Sequence, residues 1–156
     1  MYEMALIGVG GTVIGTLLGV LIAHYLSLRL TNIIDRRNAN RNLIATFYRE
    51  LADIYPTPVN WPDDINDYLT SKFATLQAAI GEFRYHIPSQ EWNEFDNAWF
   101  NYYCSSGREV DKKHQNYRHY MDMNVETTNN LKSKTQNGQK TFKYNVDRIL
   151  KFAEKI

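Results

Sequence analysis

Hydrophobic and polar positions divide the chain into two regimes. From Met4 to Leu28 there is no Asp, Glu, Lys or Arg. A membrane-spanning helix needs roughly 20 apolar residues, and this run is long enough to cross with some tilt. In hydrocarbon an open strand would leave its backbone polar groups unpaired, so a single spanning segment must be helical. Beyond Leu28 the apolar residues recur at helical intervals instead. Leu43, Phe47, Leu51 and Ile54 form one stripe, and Pro56 and Pro58 close it, so a helix leaving the membrane is predicted to run to about Tyr55.

A second helix is predicted from about Pro62. Ile65, Leu69, Phe73, Leu76, Ile80, Phe83 and Ile87 are spaced by three or four throughout. Asp63, Asp64 and Asp67 fill its opening turns, where the helix dipole favours anions. Pro88 and Ser89 mark the next boundary, and Trp92, Phe95, Trp99 and Tyr102 give a short aromatic third helix. Ser106 with Glu109 has capping-box spacing. A weaker stripe follows at Val110, His114, Tyr117 and Met121. Residues from about 126 to 139 are almost wholly polar and read as a loop. Phe142, Val146, Ile149, Ala153 and Ile156 predict the last helix.

The expected fold is all-α. One N-terminal transmembrane helix, 1–30, continues into a cytoplasmic bundle of three to five helices, 31–156. A cleaved signal peptide is the rival for the first segment. It would need a basic start, a shorter apolar core and a small-residue cleavage site, whereas this start holds Glu3, and Ile22 to Tyr25 has no such pattern. Arg29, Arg36, Arg37, Arg41 and Arg49 all follow the run and no Lys or Arg precedes it. The positive-inside rule therefore places the N-terminus outside and the domain in the cytoplasm. Arg36, Arg37 and Arg41 are expected near lipid headgroups, where each charge is worth about 1 kcal/mol on an anionic surface.

Gly11, Gly15, Gly19 and Ala23 recur every four residues within the apolar run. Small residues at that spacing let two helix backbones approach closely, which drives association where lipid is as apolar as leucine. The stripe implies a helix–helix contact, with a second copy or with another protein.

Composition changes this picture little. Net charge is +1 and Cys104 is the single cysteine, so an intrachain disulfide is excluded. Charge is segregated, however. Residues 50–104 carry nine acids against Lys72 and Arg84, whereas residues from Ser105 onward carry eleven Lys and Arg against six acids. Internal complementarity between these blocks is the expected reading, and nucleic acid is not expected as a partner.

Candidate chemistry is sparse. Asp63-Asp64-Ile65-Asn66-Asp67 spells DDxxD, a magnesium-holding pattern of prenyl-diphosphate enzymes, but the second acidic motif those enzymes need is missing. It reads as a helix start. His119, Met121 and Met123 resemble soft-metal donors without a cysteine beside them. His114 and His119 are five apart, whereas the helical zinc pattern needs four. Cys104 among aromatics reads as a small buried hydrophobe. No catalytic residue, metal or cofactor is expected. Phe100 and Tyr103 lie off the aromatic stripe and are the expected exposed aromatic surface for a partner.

The glycine-rich span, the arginines after it, and the series Ala79, Phe83-Arg84, Ile87-Pro88, Phe95-Asp96, Ala98-Trp99 and Tyr102 resemble a group of small bacterial membrane-anchored helical proteins without assigned function. The resemblance implies a bacterial inner membrane and brings no activity. Two functions are consistent with these features. One is a non-enzymatic accessory subunit or adaptor held by its transmembrane face. The other is a self-associating effector that perturbs the bilayer on a trigger.

Overall fold

The computed structural model describes the backbone of residues 2–104, 115–121 and 131–154, and the side chains of 18–104, 115–121 and 137–154. The described chain is all-helical. Four α-helices follow in order: α1 (Tyr2–Glu50), α2 (Ile65–Arg84), α3 (Trp92–Tyr103) and α4 (Leu131–Glu154). Short 3-10 turns occupy Ser89–Glu91 and Arg118–Tyr120. The chain divides into two compact units, Met1–Arg37 and Asn38–Ile156.

In the first unit every described residue from Leu18 to Asp35 is exposed. Leu18, Val20, Leu21, Ile22, Tyr25, Leu26, Leu28, Leu30, Ile33 and Ile34 are all apolar and all uncovered. Among the described residues no helix is long and apolar enough to cross a membrane. Of the anchor expected at 4–28, the side chains of residues 4–17 lie outside the described residues, and the remaining segment is shorter than the roughly 20 residues a span requires.

The second unit is a helical bundle whose core follows the stripes read from the sequence. Leu43, Phe47, Leu51 and Ile54 are buried, as are Ile65, Leu69, Leu76, Ile80, Phe83 and Ile87. Phe95, Trp99 and Tyr102 bury the third stripe, and Phe142, Val146, Ile149 and Ala153 the last. Residues three and four apart share a helix face, so each stripe closes on the others. α1 ends at Glu50 rather than near Tyr55; Leu51 and Ile54 complete its buried stripe from the turns that follow. The aspartates before α2 act as expected of a helix start. Asp64 is the N-cap, and its carboxylate accepts from the Asp67 amide at 2.9 Å, satisfying one of the orphan donors of the first turn.

The residues that carry the bacterial resemblance build the corner between α2 and α3. Ala79, Phe83, Ile87, Phe95, Ala98, Trp99 and Tyr102 are buried. Arg84 grips Asp96 through two bonds of 2.9 Å and lies 4.4 Å over the Trp92 ring. The Trp92 indole N–H donates to the Ile87 carbonyl at 3.1 Å. The series is thus a packing motif.

Two segments differ from their sequence expectation. The polar stretch predicted as a loop over 126–139 is helical from Leu131, where α4 begins. Lys, Ser, Gln and Asn tolerate a helix when its far end is anchored, and here Phe142 and Val146 hold it in the core. Conversely, Tyr117 and Met121 belong to no long helix. Residues 115–121 form an extended strap with one 3-10 turn, joined to the end of α3 by a hydrogen bond from the Asn116 amide to the Tyr103 carbonyl at 2.7 Å. The capping box at Ser106 and Glu109, with Val110 and His114, lies outside the described residues.

Candidate functional site

The strap is pinned by a buried polar network. Tyr120 donates to the Tyr102 carbonyl at 2.9 Å. The Asn145 amide of α4 donates to the Tyr120 oxygen at 2.9 Å and to the Asn101 carbonyl at 3.2 Å. Both hydrogens of that amide are therefore used. Phe47, Tyr102, Tyr117, Tyr120 and Phe142 surround the network in edge-on and tilted contacts. Gly138 lets α4 approach the strap: a Cβ there would meet the Tyr120 carbonyl oxygen at 2.6 Å. Burial raises the phenols of Tyr102, Tyr117 and Tyr120 above their ordinary value, so none is an acid or base near neutrality.

His119 sits beside this network, its ring centroid 3.7 Å from that of Tyr120. Both ring nitrogens are shielded from solvent and make no well-directed hydrogen bond. Desolvation lowers its pKa to about 4, an effect that the backbone of Asn101 and Asn116 only partly offsets. A neutral, shielded imidazole is a packed residue, not the surface histidine that the sequence suggests at this position. Among the described residues no group of three His, Cys, Asp or Glu side chains could hold a metal ion. Cys104 is buried.

Among the described residues, one open feature of this unit is a cleft of about 330 Å³ lined by Glu94 of α3 and by Tyr144, Asp147, Arg148, Lys151 and Phe152 of α4. Asp147 is occupied: Lys143 donates to one oxygen at 2.6 Å and the Tyr55 hydroxyl to the other at 2.8 Å. Burial, and then that carboxylate, hold the Tyr55 phenol far above its usual range. Arg148 lies 5.8 Å from the Tyr144 ring. Glu94, Arg148 and Lys151 take part in no ion pair among the described residues.

The residues singled out in the sequence fall in separate places. Gly19 and Ala23 are exposed on α1, and a Cβ at Gly19 would meet nothing within 4 Å. The side-chain surroundings of Gly11 and Gly15 lie outside the described residues. Arg37 and Arg41 are exposed and Arg36 is half-buried. Phe100 is only 8 % exposed and Tyr103 is half-buried, packed edge-on against it at 5.6 Å. The aromatic surface expected at this pair is therefore closed at Phe100, because lying off one stripe placed it against a different neighbour rather than in water. The described ion pairs join Arg49 and Lys72 to Glu50, Arg84 to Asp96, and Lys143 to Asp147. None of them joins the acidic middle of the chain to the basic tail. The cleft was not legible in the sequence, since it places one α3 carboxylate in the same lining as α4 cations some 50 positions away.

No protein-family model, curated protein or solved structure matches this chain.

Proposed function

We propose that this chain is a membrane-anchored interaction protein, an accessory subunit or adaptor of a bacterial inner membrane. The start of α1 crosses the bilayer with its N-terminus outside. The helical domain lies on the cytoplasmic side, and Gly11, Gly15, Gly19 and Ala23 make the contact with a partner helix. The observation that carries the reading is the apolar first unit. From Met4 to Leu28 no residue is charged, the segment is helical, and its described large apolar side chains are all exposed. An uncharged helix with this much uncovered apolar surface is one that another apolar medium covers. The open space beside Gly19 suits the close approach of a second backbone. Arg36, Arg37 and Arg41 then follow at headgroup level.

The test is native mass analysis of full-length protein released with its surrounding lipid. A defined hetero-complex that Gly15→Leu breaks supports the adaptor. A homo-oligomer that the same substitution dissociates favours self-assembly, and with it the bilayer-perturbing effector. Extraction into buffer without detergent or lipid removes the anchor from the proposal.

A further inference from the structure

We propose that the cleft between α3 and α4 is the docking site for an acidic, aromatic-bearing segment of a partner protein. This rests on the adaptor reading and names the chemistry of what is adapted.

Asp147 is neutralised by Lys143 and held by Tyr55. Arg148 and Lys151, three residues apart on one helix face, have no carboxylate partner among the described residues, while Glu94 lines the same cleft without pairing to either. The uncompensated charge of the lining is therefore positive, two cations against one carboxylate. Unpaired cations on one wall of a concave surface select a carboxylate-bearing occupant and repel a basic one.

The remaining lining sets the class further. The 61 % exposed Tyr144 supplies apolar area, with a small contribution from the edge of the buried Phe152, and this area takes an aromatic or aliphatic side chain. Glu94 requires a donor from the occupant, and a peptide has backbone N–H groups to give. A phosphate backbone has none to offer Glu94, and that carboxylate would repel it. The volume, about 330 Å³, is at the small end of ligand pockets, which run from roughly 300 to 1,000 Å³. It accommodates a few side chains of a segment lying across the surface.

The experiment uses the full chain in neutral-lipid nanodiscs and a fluorescent, terminally blocked Glu-Glu-Phe-Glu-Glu peptide, followed by anisotropy. The wild type should bind it, and Arg148→Glu with Lys151→Glu should weaken binding by about tenfold or more. The double variant should instead bind the matching Lys-Lys-Phe-Lys-Lys peptide. The milder Arg148→Gln should weaken acidic-peptide binding by several-fold, guarding against loss of fold in the double variant. Lys140→Glu, an exposed α4 position outside the cleft, should leave binding within about twofold. Acidic-peptide binding that is absent, or that survives the double reversal, or that Lys140→Glu weakens equally, overturns the proposal. So does stronger binding of a single-stranded oligonucleotide that the same reversal abolishes. These outcomes are read on embedded protein, so they are separate from failure of the anchor, which appears as protein that does not enter the nanodisc.

Discussion

Gly138 and Gly81 provide a matched pair of perturbations whose effects should have opposite signs. Both lie inside helices, and alanine favours a helix over glycine by about 1 kcal/mol. At Gly81 of α2 an added Cβ meets nothing within 4 Å. The propensity gain acts alone there, and Gly81→Ala should stabilise the fold by about 0.5–1 kcal/mol. At Gly138 the same atom would lie 2.6 Å from the Tyr120 carbonyl oxygen, 3.3 Å from its carbon and 3.6 Å from its Cα. A tolerable carbon–oxygen contact begins near about 3.3 Å, so the strap must retreat by roughly 0.7 Å. It is not free to do so, because the Tyr120 hydroxyl is tied to the Tyr102 carbonyl and to Asn145 at 2.9 Å each. Overpacking against backbone costs about 2–3 kcal/mol at such a site. Set against the propensity gain, Gly138→Ala should destabilise by about 1–2 kcal/mol.

Thermal unfolding of the full-length chain in neutral detergent, followed by far-ultraviolet circular dichroism, measures both. For a domain of this size about 1 kcal/mol corresponds to a shift of roughly 4 °C. Gly81→Ala should therefore raise Tm by about 2–4 °C and Gly138→Ala lower it by about 4–8 °C. If Gly138→Ala raises Tm as Gly81→Ala does, the close contact between α4 and the strap is wrong.

Three further tests probe the same unit. Tyr120→Phe removes a hydroxyl that both donates and accepts in the interior; chemical unfolding should register a loss of about 1–3 kcal/mol, and a loss below measurement would refute the network. His119 is held neutral with a pKa near 4 against an ordinary 6.5; because its folded value is the lower one, its stabilisation is complete above about pH 6.5 and is lost as pH falls toward 4. Between pH 7 and pH 5 the wild type should lose about 1–2 kcal/mol more than His119→Gln, and parallel pH profiles would refute the shift. Asp64→Ala should cost about 1 kcal/mol while Asp64→Asn, which also caps, should cost a few tenths, and magnesium should change neither Tm; a magnesium-dependent Tm that Asp64→Asn abolishes would revive the metal reading of DDxxD.

The helices were legible in the sequence to the degree that their stability comes from periodic burial. Leu43 with Phe47, Leu69 with Phe83, and Phe142 with Val146 sit in the core because a three-or-four spacing allows one geometry in which all of them leave water. Periodicity carries no information where a segment is held by single contacts. Tyr117 and Tyr120 are buried through a non-helical strap, and the signal for it was a lone glycine, Gly138, in a polar run. Its meaning depends on a backbone carbonyl 18 positions earlier. The start of α4 was hidden for the related reason that its first turns carry almost no apolar residue. Local pattern weighs only what a residue prefers in isolation, whereas the far end of a helix can dictate the near end.

The same distinction governs the electrostatics and leads to the cleft. Composition by blocks suggested that the acidic middle and the basic tail neutralise each other. An ion pair, however, forms between neighbours in space, and a block average says nothing of that. Arg84 is taken by Asp96 and Lys143 by Asp147, each within its own block. Among the described residues of α4, Lys140, Arg148 and Lys151 take part in no ion pair, and the fold places Arg148 and Lys151 together beside Phe152 in a concavity. A surface cation in open water is worth little to a partner because solvent and salt screen it. Two of them on the wall of a cleft beside the Tyr144 ring lie where water is more readily displaced. Charge that the fold leaves unpaired in such a place is where an outside carboxylate has the most to gain.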